Sequence, residues 1–569
     1  MRVTTSSNHF HDALRSFICS RAHVSVEMTN EPDSTWHSDS TSPPRFSTDG
    51  GGTGPQLPAL PPPNESPTRI LAVSGAAVSS SHRGTISAMV DSLSPDVLVA
   101  TDPQANIVGP ALNRESDLDI LEVGTGMRPD VAVTDDNRCV VVALPMGEDP
   151  LNPEQIATRV EMSSVGEDPV DLATTPQICL IDQTVSLSVD PYARSATLDG
   201  TSSYRGRVPD QWWTARTVHL STALRAGFTT TRSHRDDGDT QFVGIGTSNA
   251  DLGVGTTADT TQATLVALYS NGAIDVSEAD PQKFGLRGVP EIGPTRFETL
   301  RNAGITTVDA LADTPLRQLT ELSGLGRTSA NTVQTAAEAQ STNTVLPTGD
   351  DSLPNQEPVF IDIETDGLNP STAWLIGVLD GDPEDGHYMS FREQAVGDGS
   401  HLKAFMTWLT GSAADRPVVA WNGYRFDFPV ITEQLQQHHP DLVEAWTDRY
   451  QFDALWWATK KNGGNAALPG RTNKLEHVAD ALGWGPSTNG IDGATVAKLY
   501  TAYRSQVAGE TDAGSVAEPD WDRLERYCED DVRALATIYE HLEAVARQDS
   551  ETKTPTGENS SQGSLADFS

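Results

Sequence analysis

Apolar and polar positions follow three different rhythms along this chain, and the changes between them divide it. From about 68 to 283, short apolar bursts such as RILAVS, DVLVAT, VVVAL, ICLI and FVGIG are separated by polar, turn-rich stretches and by amphipathic segments like TISAMVDSL. That pattern predicts short strands interleaved with helices, an α/β domain of unknown type. From 284 to 341 the rhythm becomes helical and is punctuated by glycine, with the turns Ile292-Gly293-Pro294 and Leu325-Gly326-Arg327 each opening a helix. A third region, 356–547, begins with the apolar run Val359, Phe360, Ile361 and Ile363, which marks a strand, and ends in a predicted helix of about 20 residues. In that helix Leu524, Cys528, Val532, Leu535, Ile538 and Leu542 trace one stripe.

The flanking segments lack these rhythms. Residues 1–67 are rich in Ser, Thr, Pro and Gly and carry too little apolar surface to order themselves, as does the tail 548–569; both are expected to be disordered. Residues 342–355 read as a polar linker. The first 27 residues hold Arg2, Arg15 and Arg21 but only Asp12 and Glu27 as acids, unlike the rest of the chain, and this contrast points to Met28 as the translation start.

Composition changes the picture in one respect. The formal net charge is −40, from 79 acidic and 39 basic residues, and an acidic surface ordinarily repels a polyanion. Lysine is scarce while Asp, Thr, Ala and Gly abound, a bias that resembles proteins of salt-accumulating haloarchaea. At molar salt the screening length falls to about 3 Å, so net charge loses its bearing on substrate choice and local groups decide. Four scattered cysteines form no C-x-x-C pair, and there is no apolar run of membrane-spanning length, so a cytoplasmic protein without a membrane partner is expected.

Some candidate chemistry is weak. Gly124-x-Gly126 lacks the third glycine and the strand-to-helix context of a dinucleotide loop, and reads as a turn. Trp212 and Trp213 read as buried packing in preference to base stacking. In the helical region, Gly293, Gly326 and Arg327 are candidate nucleic-acid contacts, because a glycine turn before a helix N-terminus exposes amide groups that can hold a phosphate. Glycines that merely cap helices are the plain alternative.

The strongest chemistry is carboxylate. Asp362 and Glu364 lie two apart on a predicted strand and project from one face, where two acids repel unless a cation sits between them. Asn422 and Asp427 follow a second apolar run, and Asp427 alone reads equally well as a helix cap. Tyr527 and Asp531 lie four apart and stack on one helix face, with Glu529 and Asp530 read as solvated surface acids. Asp453 reads as support for the fold, and Lys474 and Arg425 as weak candidates for phosphate contact.

Together, D-x-E, N-x4-D and Y-x3-D resemble the tyrosine-containing subclass of the DEDD 3′ to 5′ exonucleases, and more closely the YprB-type ribonuclease H-like domains. The segments Phe452-Asp453-Ala454-Leu455 and Asn473 to Gly483 match there too, and the 284–341 region resembles a tandem helix-hairpin-helix module. The resemblance implies a multidomain α/β protein whose C-terminal part is a ribonuclease H-like mixed sheet flanked by helices. It also implies a metal-dependent nuclease acting on DNA or RNA, most simply a 3′ to 5′ exonuclease. A structure-specific endonuclease, or an inactive nucleic-acid-binding scaffold, is the alternative. Asp362, Glu364, Asp427 and Asp531 would hold two Mg²⁺ or Mn²⁺ ions, Tyr527 would position the attacking water, and Asn422 would contact the substrate.

Overall fold

In a computed structural model the described residues run from 60 to 553, apart from 63–64, 82, 102–107, 109–117, 125, 135–137, 148, 164–171, 173–174, 191–194, 226–228, 235–239, 249–262, 461–463, 489 and 510–517. Residues 1–59 and 554–569, which hold most of the segments expected to be disordered and the Met28 question, lie outside them. The chain forms two compact units whose main division falls at Thr307/Val308, within the glycine-punctuated helical region, with residues 488–492 and 505–517 also belonging to the first.

The first unit is mixed α/β, as its apolar bursts predict. Strands β1 (Thr68–Ser74), β2 (Val97–Thr101) and β3 (Asp119–Glu122) run parallel. A second sheet is built around Cys139–Ala143, Gln177–Asp190, Thr217–Arg225 and Thr240–Ser248, also mutually parallel. Strands β1, β2 and Cys139–Ala143 are close to continuously apolar and buried, as strands covered on both faces are. The Gly124 turn follows β3 and leads to another strand, Asp130–Val133, so no helix N-terminus is placed there for a phosphate. Trp212 is buried, and Trp213 stacks on His219 with ring centroids 4.1 Å apart. Residues just before β1 are attached: Glu65 accepts hydrogen bonds from the backbone and hydroxyl of Ser270.

The glycine turns do open helices. Gly293 caps α1 (Pro294–Asn302) in the first unit, and Gly326 caps α2 (Arg327–Thr342) in the second. Both glycines have extended backbone, so neither is required by a left-handed conformation, and the space where a side chain would project is open at each. The stretch read as a linker is stitched down: Leu346–Pro347 pairs with Ala466–Ala467, and the Asp351 carboxylate meets the Lys460 ammonium.

The second unit is organised on a five-stranded sheet. Strand β4 (Val359–Thr365) lies at its centre, antiparallel to β5 (Ala373–Asp380), which pairs in turn with β6 (His387–Arg392). On the other side β4 runs parallel to β7 (Val418–Ala420), and β7 to β8 (Gln451–Asp453). Helices cover both faces. Val359, Ile361 and Ile363 pack with α3 (Ser400–Ser412) and α4 (Asp427–His438) on one face. Phe360 packs on the other with the closing helix α7 (Trp521–Lys553), through Val532, Leu535 and Tyr539. Period-two alternation therefore sends Asp362 and Glu364 to the α7 side. That helix continues to Lys553, past the predicted end, because no glycine or proline interrupts it before Pro555.

Candidate active site

The carboxylate pair sits where β4 loses its parallel neighbour. Strand β7 is three residues long and pairs only with Val359 and Phe360, so the edge of β4 beyond them is open. Into that gap comes Asp427, the first residue of α4, whose carboxylate takes a hydrogen bond from the Ile363 backbone amide. Asp427 is 3% exposed and is not the cap; Phe426 holds that position, without a side-chain hydrogen bond. The cap alternative is thereby replaced by an inward-facing acid.

The loop that aims Asp427 is fixed by another carboxylate. Asp453, buried at the end of β8, accepts from the backbone amides of Asn422 (3.1 Å), Tyr424 (3.1 Å) and Trp456 (2.9 Å), the last as cap of α5 (Ala454–Thr459). Asn422 has φ of +63°, and its carbonyl accepts from Arg425 and Phe426, which makes it the pivot of this turn. Its position as expected substrate contact is thus also a backbone one.

From the helix side, Asp531 takes a hydrogen bond from the Tyr527 hydroxyl, as the four-residue spacing predicts. Cys528, one position on, brings its thiol 3.8 Å from Asp362 Oδ2. Ligand atoms of Asp362, Glu364 and Cys528 all lie within 4.8 Å of one another. This close approach needs Gly377 on β5, since a methyl group there would fall 2.5 Å from the sulfur. Sequence reading placed Cys528 only in the apolar stripe; its single-residue offset from Tyr527 was the available signal. The Ile363 amide left no signal, because strand length at β7 decides it.

Asp530 corrects a prediction. It is 6% exposed and accepts a hydrogen bond from Ser487, so it is a buried acid and not a solvated one. Glu529 pairs with Arg533 on the helix surface. Lys474 pairs with Glu476, and Arg425 is exposed.

Electrostatics defines what the four clustered acids can do. Burial, then the charges of Asp531, Glu364 and Asp427, push Asp362 well above the usual carboxylate range, and burial with Asp531 and Asp427 does the same to Glu364. Asp427 is pushed up to about 7 mainly by burial, against the pull of its own amide and that of Ile363. Asp531 is likewise raised to about 7 by burial, with the Tyr527 hydrogen bond opposing. Among the described residues the largest charge effects on these four all come from other acids. Glu364 Oε1 is buried with no hydrogen-bond partner. An orphaned carboxylate oxygen among like charges is what a site for hard, oxygen-seeking divalent cations presents, and the donor set fits Mg²⁺ or Mn²⁺.

Residues 359–543 match the family model of the ribonuclease H superfamily. They form a ribonuclease H superfamily domain. Ahead of it, residues 285–339 match a SAM-like helix-hairpin-helix tandem. Among solved structures, one of exonuclease I is 17% identical over 26% of this chain and 40% of its own, with a TM-score of 0.18. A zinc-bound E. coli exonuclease I complex with single-stranded DNA is 16% identical over 30% of this chain and 42% of its own, also at 0.18. The chain thus spans about two-fifths of the length of these exonuclease I chains. No curated protein sequence matches it. Among the described residues, no helix is long and apolar enough to cross a membrane.

Proposed function

We propose that this protein is a divalent-cation-dependent nuclease that hydrolyses phosphodiester bonds, working as a 3′ to 5′ exonuclease. The observation that carries the reading is that Asp362 and Glu364 offer oxygens within 4.8 Å of one another and of the Cys528 sulfur, with the negative charges of Asp427 and Asp531, from two other stretches, acting on both. The four acids would hold the cations, whose chemistry when bound is to polarise the phosphate and to acidify water. The protein's own part is geometric. Asp453 and Asn422 fix the loop that aims Asp427, and α7 presents Tyr527 beside Asp531, where its hydroxyl orients the attacking water. Water oxygen bonds to phosphorus, the bond from phosphorus to the 3′ oxygen breaks, and that oxygen leaves with a proton. No covalent intermediate with the protein is needed.

The glycine-capped helix starts at Gly293 and Gly326, with Arg327, supply amide contacts to a phosphate backbone. Such contacts suit a chain of net charge −40 better than lysine contacts, whose affinity falls with a logarithmic salt slope of about −0.9 per phosphate. Haloarchaeal, cytoplasmic conditions are the setting in which that matters most. The test uses end-labelled single-stranded, duplex and hybrid substrates in molar KCl with Mn²⁺. A ladder of products that a blocked 3′ end abolishes supports the exonuclease; cutting that survives the block indicates an endonuclease, and no cutting of any substrate rejects the proposal.

A further inference from the structure

Exposed aromatic rings are few here, and they are gathered in one place. Among the described residues the large aromatic side chains that stand open to solvent are Tyr424, Tyr450 and Trp456, at 43%, 55% and 50% exposure. All three flank β8, the edge strand of the ribonuclease H superfamily sheet. Tyr424 and Trp456 meet edge to face with centroids 5.8 Å apart, and Tyr450 lies against Phe452 at 6.4 Å. Such rings cost solvation wherever they are not covered, so their concentration calls for an occupant.

The ledge is tied to the carboxylate site by the same group that shapes it. Asp453 receives the amides of Tyr424 and Trp456 as well as that of Asn422, so one buried carboxylate sets both rings relative to the loop that carries Asp427. The Tyr424 hydroxyl donates to the Gln451 carbonyl, which holds its ring upright. Beside it lies a hollow of about 460 Å³ lined by Tyr424, Phe428, Thr432, Glu433, Gln436 and Gln451, apolar at Phe428 and rimmed with amide, hydroxyl and carboxylate groups. That combination suits a flat, partly polar ring better than a phosphate. One cation at the ledge, Lys460, is already engaged, since it lies over the Trp456 ring and against Asp351.

We infer that Tyr424 and Trp456 form a base-stacking platform for the single-stranded part of the substrate, next to the site of hydrolysis. The inference rests on the nuclease reading for its direction and on the rings for its chemistry. Stacking is indifferent to salt and needs no basic surface, which is what a chain with twice as many acids as bases requires to hold a polyanion. It is also tolerant of sequence, because every base offers a π face.

The test is binding, by fluorescence anisotropy, of a labelled oligodeoxyadenylate and of an equal-length strand with abasic sugars. It uses the full chain in molar KCl with chelator, so that nothing is cut. The parent is expected to prefer the base-bearing strand. Tyr424→Ala and Trp456→Ala should each weaken binding about tenfold, and the double variant on the order of a hundredfold, leaving the abasic strand unaffected. Tyr424→Phe and Trp456→Phe keep a flat ring and should stay within a few-fold of the parent, which separates stacking from a folding defect. Equal binding of the two strands by the parent, or a double alanine variant that keeps the preference, overturns the platform and leaves the surface to a protein partner. Hydrolysis is measured separately with Mn²⁺: ring-dependent binding without cutting sinks the nuclease reading alone, and cutting without ring dependence sinks the platform alone.

Discussion

Both units bury acids, and they treat them in opposite ways. In the first unit Asp182 lies 3% exposed against the Arg207 guanidinium at 3.1 Å and takes the Thr184 amide at 2.6 Å. In the second, buried Glu364 and Asp427 and half-buried Asp362 and Asp531 act on one another electrostatically, and among the described residues no cation is paired with them. A buried charge must be paired or be suppressed by protonation. The first acid is satisfied internally and serves the fold; the second set, on the proposed function, takes its counter-charge from outside. The difference teaches that counter-charge, more than burial, distinguishes a site from a structural pair.

The largest expected effect strikes the unpaired set. Asp362→Ala should lower the hydrolysis rate by about a thousandfold, equivalent to ~4 kcal/mol of barrier, with little change in nucleic-acid binding measured in chelator. Equal rates in variant and parent would remove Asp362 from the site. The counterpart in the first unit is Arg207→Met, which strands Asp182 and should cost about 3 to 5 kcal/mol by denaturant titration. Joint replacement by Asp182→Leu and Arg207→Met should cost much less than either alone, since apolar groups need no partner.

pH sharpens the contrast further. Glu364 and Asp427 have folded-state pKa values above the ordinary carboxylate range, so the folded chain binds more protons than the unfolded one between about 4 and 7. Without divalent ions, stability is therefore fully present at low pH and is lost as pH rises through that window, by roughly a few kcal/mol. Mn²⁺ should raise Tm at pH 8 and have little effect at pH 5, where protons hold the ligands. A Tm that rises with pH in chelator would contradict the unpaired cluster. The smallest effect is expected at Gly377→Ala, where the added methyl group meets the Cys528 sulfur at 2.5 Å. Overpacking there should cost about 1 to 3 kcal/mol, and Cys528→Ala in the same chain should recover part of it.

Much of the site was legible in the sequence because its parts obey local periodicities. Asp362 and Glu364 share a face by strand alternation, and Tyr527 reaches Asp531 by helical spacing. The glycine turns announced the starts of α1 and α2 for the same reason. Asp427 stood undecided between cap and ligand, since both readings satisfy the same local pattern. Asp530 was misread, because its partner Ser487 lies 43 residues away and no pattern along the helix marks it.

What the sequence by itself determined is which residues are candidates for the chemistry and on which element each one sits, since side-chain direction within a strand or helix follows from backbone geometry alone. Only the tertiary structure decided that three stretches meet, that β7 ends early enough for Asp427 to reach the Ile363 amide, and that Gly377 lets Cys528 and α7 approach β4. It also decided the company each acid keeps. Asp182 and Asp362 are both aspartates, and they differ because packing delivered an arginine to one and further carboxylates to the other.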